Sequence, residues 1–201
     1  MPHPGVARIR KTHMRIAILV LALLLSALPV TVLAQDDPDP ALVLLLREAA
    51  NETDSFPDHF DAQVWLTDMS TRLERQVKSP QERIHILQRV HFEATRSELP
   101  PELVLAVIDV ESNFDRFAIS VAGARGLMQI MPFWLNEIGR PDDNLMQIET
   151  NLRFGCTILK YYMDMEKGDM IRALGRYNGS LGQRKYPNKV LDKLRLKWFR
   201  A

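Results

Sequence analysis

The chain has 201 residues, 46% hydrophobic and 25% charged, with 26 Lys and Arg against 25 Asp and Glu. That is ordinary globular composition with length for one sizeable core, and the near-neutral balance gives no support to nucleic-acid binding. A single cysteine, Cys156, excludes an internal disulfide and leaves the fold to its core.

Residues 1–34 read as a secretory signal peptide. Arg8, Arg10, Lys11 and Arg15 form a basic n-region, residues 16–25 a short apolar run, and Val32-Leu33-Ala34 a small-residue cleavage site. A retained inner-membrane anchor would have to carry the apolar run through Pro29 to reach spanning length, so cleavage is the preferred reading. Met14-Arg15 ahead of the same run makes a tighter alternative start. The leader holds four basic residues and no acidic ones, so the remainder carries 22 basic against 25 acidic residues, a net charge of −3. Export with one cysteine fits a bacterial periplasm.

Residues 35–78 read as an N-terminal helical extension. Asp39-Pro40 offers an N-cap followed by Pro at the first helical position, opening a helix over 41–50 whose run Leu42 to Leu46 is apolar on every side. A second helix over about 61–77 spaces Leu66, Met69, Leu73 and Val77 along one face. Neither carries chemistry. They are expected to cover the back of the domain, and the acidic character of residues 35–62 offers a surface to an envelope protein partner.

Residues 79–201 read as the main domain, where the candidate chemistry lies. Ser79-Pro80-Gln81-Glu82 is a capping box that starts a helix running to about Thr95. Its His85 and His91 are six apart and lack a metal-ligand pattern, so both read as structural, and neither a metal nor a cofactor is expected. A helix opened by Pro101 places Val104, Val107, Ile108 and Glu111 on one face, so a carboxyl ends an apolar stripe. Desolvation there raises its pKa and keeps a proton available near neutral pH. The loop from Asn113 to Gln129 has room for a small hairpin. A short helix follows from Pro132 to Ile138, stopped by Gly139 and Pro141, then a longer one over about 149–166. Asp169 caps a helix over 170–177 that Asn178-Gly179 ends, and a last helix covers 189–200. Its many basic residues read as a solvated face in preference to a trap for acidic groups. The fold class is mostly α with a minor β element.

Ordinary glycosidases pair two carboxyl groups, about 5 Å apart when retaining and about 6.5–9.5 Å when inverting. No second carboxylate stands out beside Glu111. Asp109 lies roughly 200° around the helix from it, and Asp115 reads as a loop cap or surface residue.

Three pieces occur in order: Glu111-Ser112, then Ser120 with Gly123-Ala124 and the string Gly126-Leu127-Met128-Gln129-Ile130-Met131-Pro132, then Tyr177-Asn178. Together they resemble the soluble lytic transglycosylase (SLT) domain of lysozyme-like fold, and Asn151-Leu152 with Gly155 is similar to another stretch of that family. The likeness covers about Leu99 to Trp198. It implies an α+β lysozyme-like fold and a lyase that cleaves the β-1,4 bond between N-acetylmuramic acid and N-acetylglucosamine in the glycan strands of peptidoglycan. The product it implies is a 1,6-anhydromuramyl end, with Glu111 serving as acid and then as base. By the same likeness Ser112 and Ser120 support the acid or contact sugar, Gln129 and Met131 line the cleft, Tyr177 hydrogen-bonds the catalytic carboxylate, and Asn178 neighbours it. Gly123 and Gly126 read as positions of positive φ or close backbone approach. The sequence departs from the family's common Tyr-Asn-Ala-Gly with Tyr177-Asn178-Gly179-Ser180, and its segment from Leu181 to Tyr186 is short. The alternatives are a hydrolytic muramidase and a glycan-binding or assembly module of an envelope machine without turnover.

Overall fold

A computed structural model describes Leu44 and residues 55–199. The leader and the helix expected over 41–50 lie outside the described residues, save that Leu44 is helical and exposed. Seven helices follow in order among the described residues: α1 (His59–Leu73), α2 (Pro80–Arg96), α3 (Pro101–Glu111), α4 (Trp134–Ile138), α5 (Ile148–Met165), α6 (Met170–Tyr177) and α7 (Lys185–Lys193). A π-helical turn, Leu194–Trp198, extends α7. None of these helices is long and apolar enough to cross a membrane.

The starts follow side-chain caps. Asp58 accepts from the Phe60 and Asp61 amides, Ser79 from Glu82, and Asp169 from Arg172, each satisfying donors that a helix start leaves open. α1 packs on α2 and buries Trp65, Leu66, Met69 and Leu73, with the Trp65 indole donating to Glu102 at the start of α3. His91 on α2 is half-buried, stacked on Phe56 and hydrogen-bonded to Ser55; burial pushes its pKa down to about 4. His85 pairs at the surface with Glu149.

α3 is the core helix. Every residue from Leu103 to Asp109 is buried, because α2, α7 and the π turn all pack against it. An apolar stripe understates this. The helix is enclosed almost all round, and only its last turn reaches a cavity.

The C-terminal end differs from the helix expected over 189–200. It starts at Lys185, and at Leu194 the bonding widens to i→i+5, seen in the 2.6 Å bond from the Phe199 amide to the Leu194 carbonyl. There Trp198 is fully buried against Phe114, and its indole donates to Asp109. The Arg72 guanidinium covers the freed Lys197 carbonyl at 2.6 Å. The basic face is also less solvated than its composition suggests. Lys193 and Lys197 both turn inward onto Asp109, at 2.6 and 2.9 Å.

Between α3 and α4 the chain makes two isolated antiparallel bridges, Ile119 with Arg125 and Arg125 with Ile130. This is the small β element. α5 anchors it from below. Asn151, 1% exposed, accepts from the Met128 amide at 2.7 Å and donates to the Arg125 and Leu145 carbonyls, each at 2.8 Å. One turn on, Gly155 lets the Met128 side chain lie against the helix: a Cβ there would stand 2.1 Å from Met128 Sδ and 2.8 Å from Met128 Cβ. The second contact is close to the backbone, so rotating the thioether does not relieve it. Gly155→Ala is therefore expected to cost about 1–3 kcal/mol by overpacking, read as a lower urea midpoint.

Candidate active site

Glu111 is the last residue of α3, and two cavities meet at its carboxyl. One, about 270 Å³, is walled by Ser120, Gln129, Met131, Trp134 and Tyr177. The other, about 280 Å³, is walled by Ser180, Gln183, Lys185, Tyr186 and Lys189. Glu111 and Asn178 belong to both. Residues from α3, the bridged loop, α6 and the start of α7 thus converge on one acid.

Burial pushes the Glu111 pKa up to about 7, partly countered by a hydrogen bond from Tyr186. At neutral pH both protonation states are populated, the condition under which a carboxyl can give a proton and take one back. Tyr186 donates to Glu111 Oε1 at 2.6 Å.

This corrects the sequence expectation, which gave that bond to Tyr177. The Tyr177 hydroxyl donates instead to the Met128 carbonyl at 2.8 Å. The reason lies in the packing. Tyr177 ends α6, which packs on α5 and aims the ring at the loop seated there, whereas Tyr186 opens α7, which packs directly on α3. A last helix started at Lys189 leaves Tyr186 in a loop. The signal that finds it is the i, i+4 spacing of Tyr186 and Val190, both buried. Tyr186→Phe removes a donor that favours the charged carboxylate, so the Glu111 pKa is expected to rise further. The alkaline limb of the pH–rate profile should move to higher pH than in the parent.

The other expected residues are placed as follows. Ser112 is outside both cavity walls: its hydroxyl reaches the Leu127 carbonyl at 2.8 Å and the Ile108 carbonyl at 3.3 Å, tying the helix end to the loop. Ser120 Oγ accepts the Ala124 amide at 3.0 Å, closing the turn that Gly123 makes at φ +89. Gly126 also has positive φ, +75, and a Cβ on it would strike Asn151. Gln129 sits at φ 51 and spends its amide nitrogen on the Ala118 and Gly126 carbonyls. Two more non-glycine residues of positive φ, Asn113 and Phe114, lie immediately after the helix end. Strained backbone on both sides of Glu111 is held by the surrounding packing.

Glu111 is the sole carboxylate among the residues that wall either cavity. Asp109 faces away. Burial raises its pKa, but hydrogen bonds and charges from Lys193 and Lys197 outweigh that and hold it below the usual carboxylate range. Asp115 stays on the surface, accepting the Phe117 amide. Among the described residues no three His, Cys, Asp or Glu side chains are grouped to hold a metal.

The described residues thus form a mostly helical domain with a lone carboxyl in a divided cleft. The family model described as the transglycosylase SLT domain matches residues 89–197, more than half of the chain. The chain belongs to the SLT domain family. A relative described as a transglycosylase, from Enterobacteria phage PRD1, is 32% identical over 105 residues, which is 49% of this chain and 38% of the phage protein. The chain therefore matches well under half the length of that relative. A solved structure of an inactive mutant of the lytic transglycosylase Slt from Pseudomonas aeruginosa aligns with a TM-score of 0.43 and 22% identity, covering 81% of this chain and 32% of the other.

Proposed function

We propose that this protein is a peptidoglycan lytic transglycosylase in which Glu111 serves first as general acid and then as general base. The observation that carries this reading is the single carboxyl, with a pKa near 7, at the junction of two cavities that contain no second acid. A glycan strand lying across both cavities places a glycosidic oxygen at Glu111. The protonated carboxyl gives its proton to that oxygen as the β-1,4 bond from the muramyl C1 breaks. The resulting carboxylate takes the proton of the muramyl C6 hydroxyl as that oxygen closes on C1, which regenerates the acid without water. Asn178 and the Gln129 carbonyl oxygen serve as partners for sugar hydroxyl and acetamido groups, and Met131 and Trp134 supply an apolar wall for the ring. Tyr186 steadies the carboxylate between the two transfers.

Incubating the purified protein with cell-wall sacculi and analysing the released muropeptides by mass spectrometry tests the reading. Ends of 1,6-anhydromuramic acid support it; free reducing muramic acid ends would make the protein a hydrolytic muramidase. Periplasmic location through the leader over residues 1–34 belongs to the same proposal, and cell fractionation that recovers the protein in the cytoplasm would contradict it.

A further inference from the structure

The cavity on the α7 side of Glu111 carries a feature that cleavage of the bond does not require. Lys185 and Lys189 lie one turn apart on the first part of α7 and both wall this cavity. Neither has an ion-pair partner among the described residues. Other cations of the same region are paired, Lys193 and Lys197 with Asp109, Arg195 with Asp192, and Arg172 and Arg176 with Glu166. Arg184, unpaired like Lys185 and Lys189 among the described residues, walls a different cavity. The positions are also unfavourable for the helix. Like charges four residues apart repel, and Lys185, in the first turn of α7, opposes the macrodipole. An anion in the cavity reverses both penalties, since it meets two ammonium groups and the positive end of α7, with Ser180 and Gln183 as further hydrogen-bonding groups. The only acidic side chain already there is Glu111, which is neutral in its proton-donating form.

We propose that Lys185 and Lys189 are specificity-determining residues that bind a carboxylate of the peptide stem, placing a stem-bearing muramyl residue on the α7 side of Glu111. This rests on the glycan-cleaving reading above. The anion is supplied by the substrate: stem peptides carry side-chain and terminal carboxylates, whereas stripped glycan carries only the lactyl carboxylate.

The experiment uses the Glu111→Gln protein, which holds strands without turning them over. Its binding is measured to glycan strands with intact stems and to strands stripped of stems by an amidase, at low and at high salt. Intact strands are expected to bind more tightly by on the order of fivefold at low salt, with the preference fading at high salt. Adding Lys185→Gln and Lys189→Gln should bring the ratio of the two affinities close to one, and the double Arg variant should keep it. A ratio near one in the Glu111→Gln protein, or a ratio that the Gln substitutions leave unchanged, overturns the assignment while leaving the cleavage reading intact. Failure to bind either strand would overturn both.

Discussion

Glu111→Gln is expected to lower turnover of glycan strands by roughly 10³–10⁴-fold and, at pH 8, to make the protein more stable than its parent. The loss of activity follows from removing the sole carboxyl among the residues that wall the cleft. The gain in stability follows from the raised pKa. The folded carboxyl titrates at about 7 against 4.5 as the ordinary value. Between those values the folded carboxyl binds more protons than the unfolded one, so the contribution of Glu111 to stability is fully present below about pH 4.5 and is lost as pH rises through 7. Holding the ionised carboxylate in its buried position thus costs about 3 kcal/mol at pH 8, and the neutral amide avoids that cost. Urea unfolding at both pH values checks the sign. The variant should be more stable at pH 8 and near parity at pH 4. An equal difference at both, or retained turnover, would remove Glu111 from the role given to it.

The second large effect belongs to Asn151, which is not among the residues that wall either cavity. Asn151→Ala strips the Met128 amide and the Leu145 carbonyl of the partners described above, while the Arg125 carbonyl keeps the Ile130 amide. Two buried groups left unsatisfied cost about 2–5 kcal/mol. Activity is expected to fall with stability, because the segment that loosens carries Gln129 and Met131. Asn151→Asp separates the hydrogen-bond account from mere packing. It keeps the acceptor for Met128 but sets a carboxylate oxygen against two carbonyls, so it should destabilise at neutral pH and recover in part at acid pH, where a protonated carboxyl donates one bond. An Asp variant as stable as the parent at pH 7 would contradict the clamp.

Much of this arrangement is local and therefore legible in sequence. The stripe ending in Glu111 needs only helical periodicity, the Ser79 and Asp169 caps need only neighbours three residues on, and the positive φ of Gly123 and Gly126 follows from glycine placement in a turn. The residues that elude such reading act across long separations. Tyr186 meets Glu111 from 75 positions away, and Lys197 meets Asp109 from 88. The spacing of Tyr186 and Val190 marks Tyr186 as buried but does not name its partner; both pairings arise when α7 and the π turn fold back along α3. Asn151 is an intermediate case. Its likeness to a family stretch marks it, but only the carbonyls and the amide around it show that it holds the loop. The same folding-back turns a basic C-terminal segment into two groups with different tasks, Lys193 and Lys197 facing the core and Lys185 and Lys189 facing the cleft.

In the proposed mechanism one carboxyl acts twice and water takes no part in breaking the glycan. Turnover of purified sacculi in water enriched in heavy oxygen tests it most directly, with mass spectrometry of the muramyl ends. Anhydro ends with no heavy oxygen at C1 are expected. Incorporation of the heavy isotope at C1, with free reducing ends from the first turnover, would contradict it.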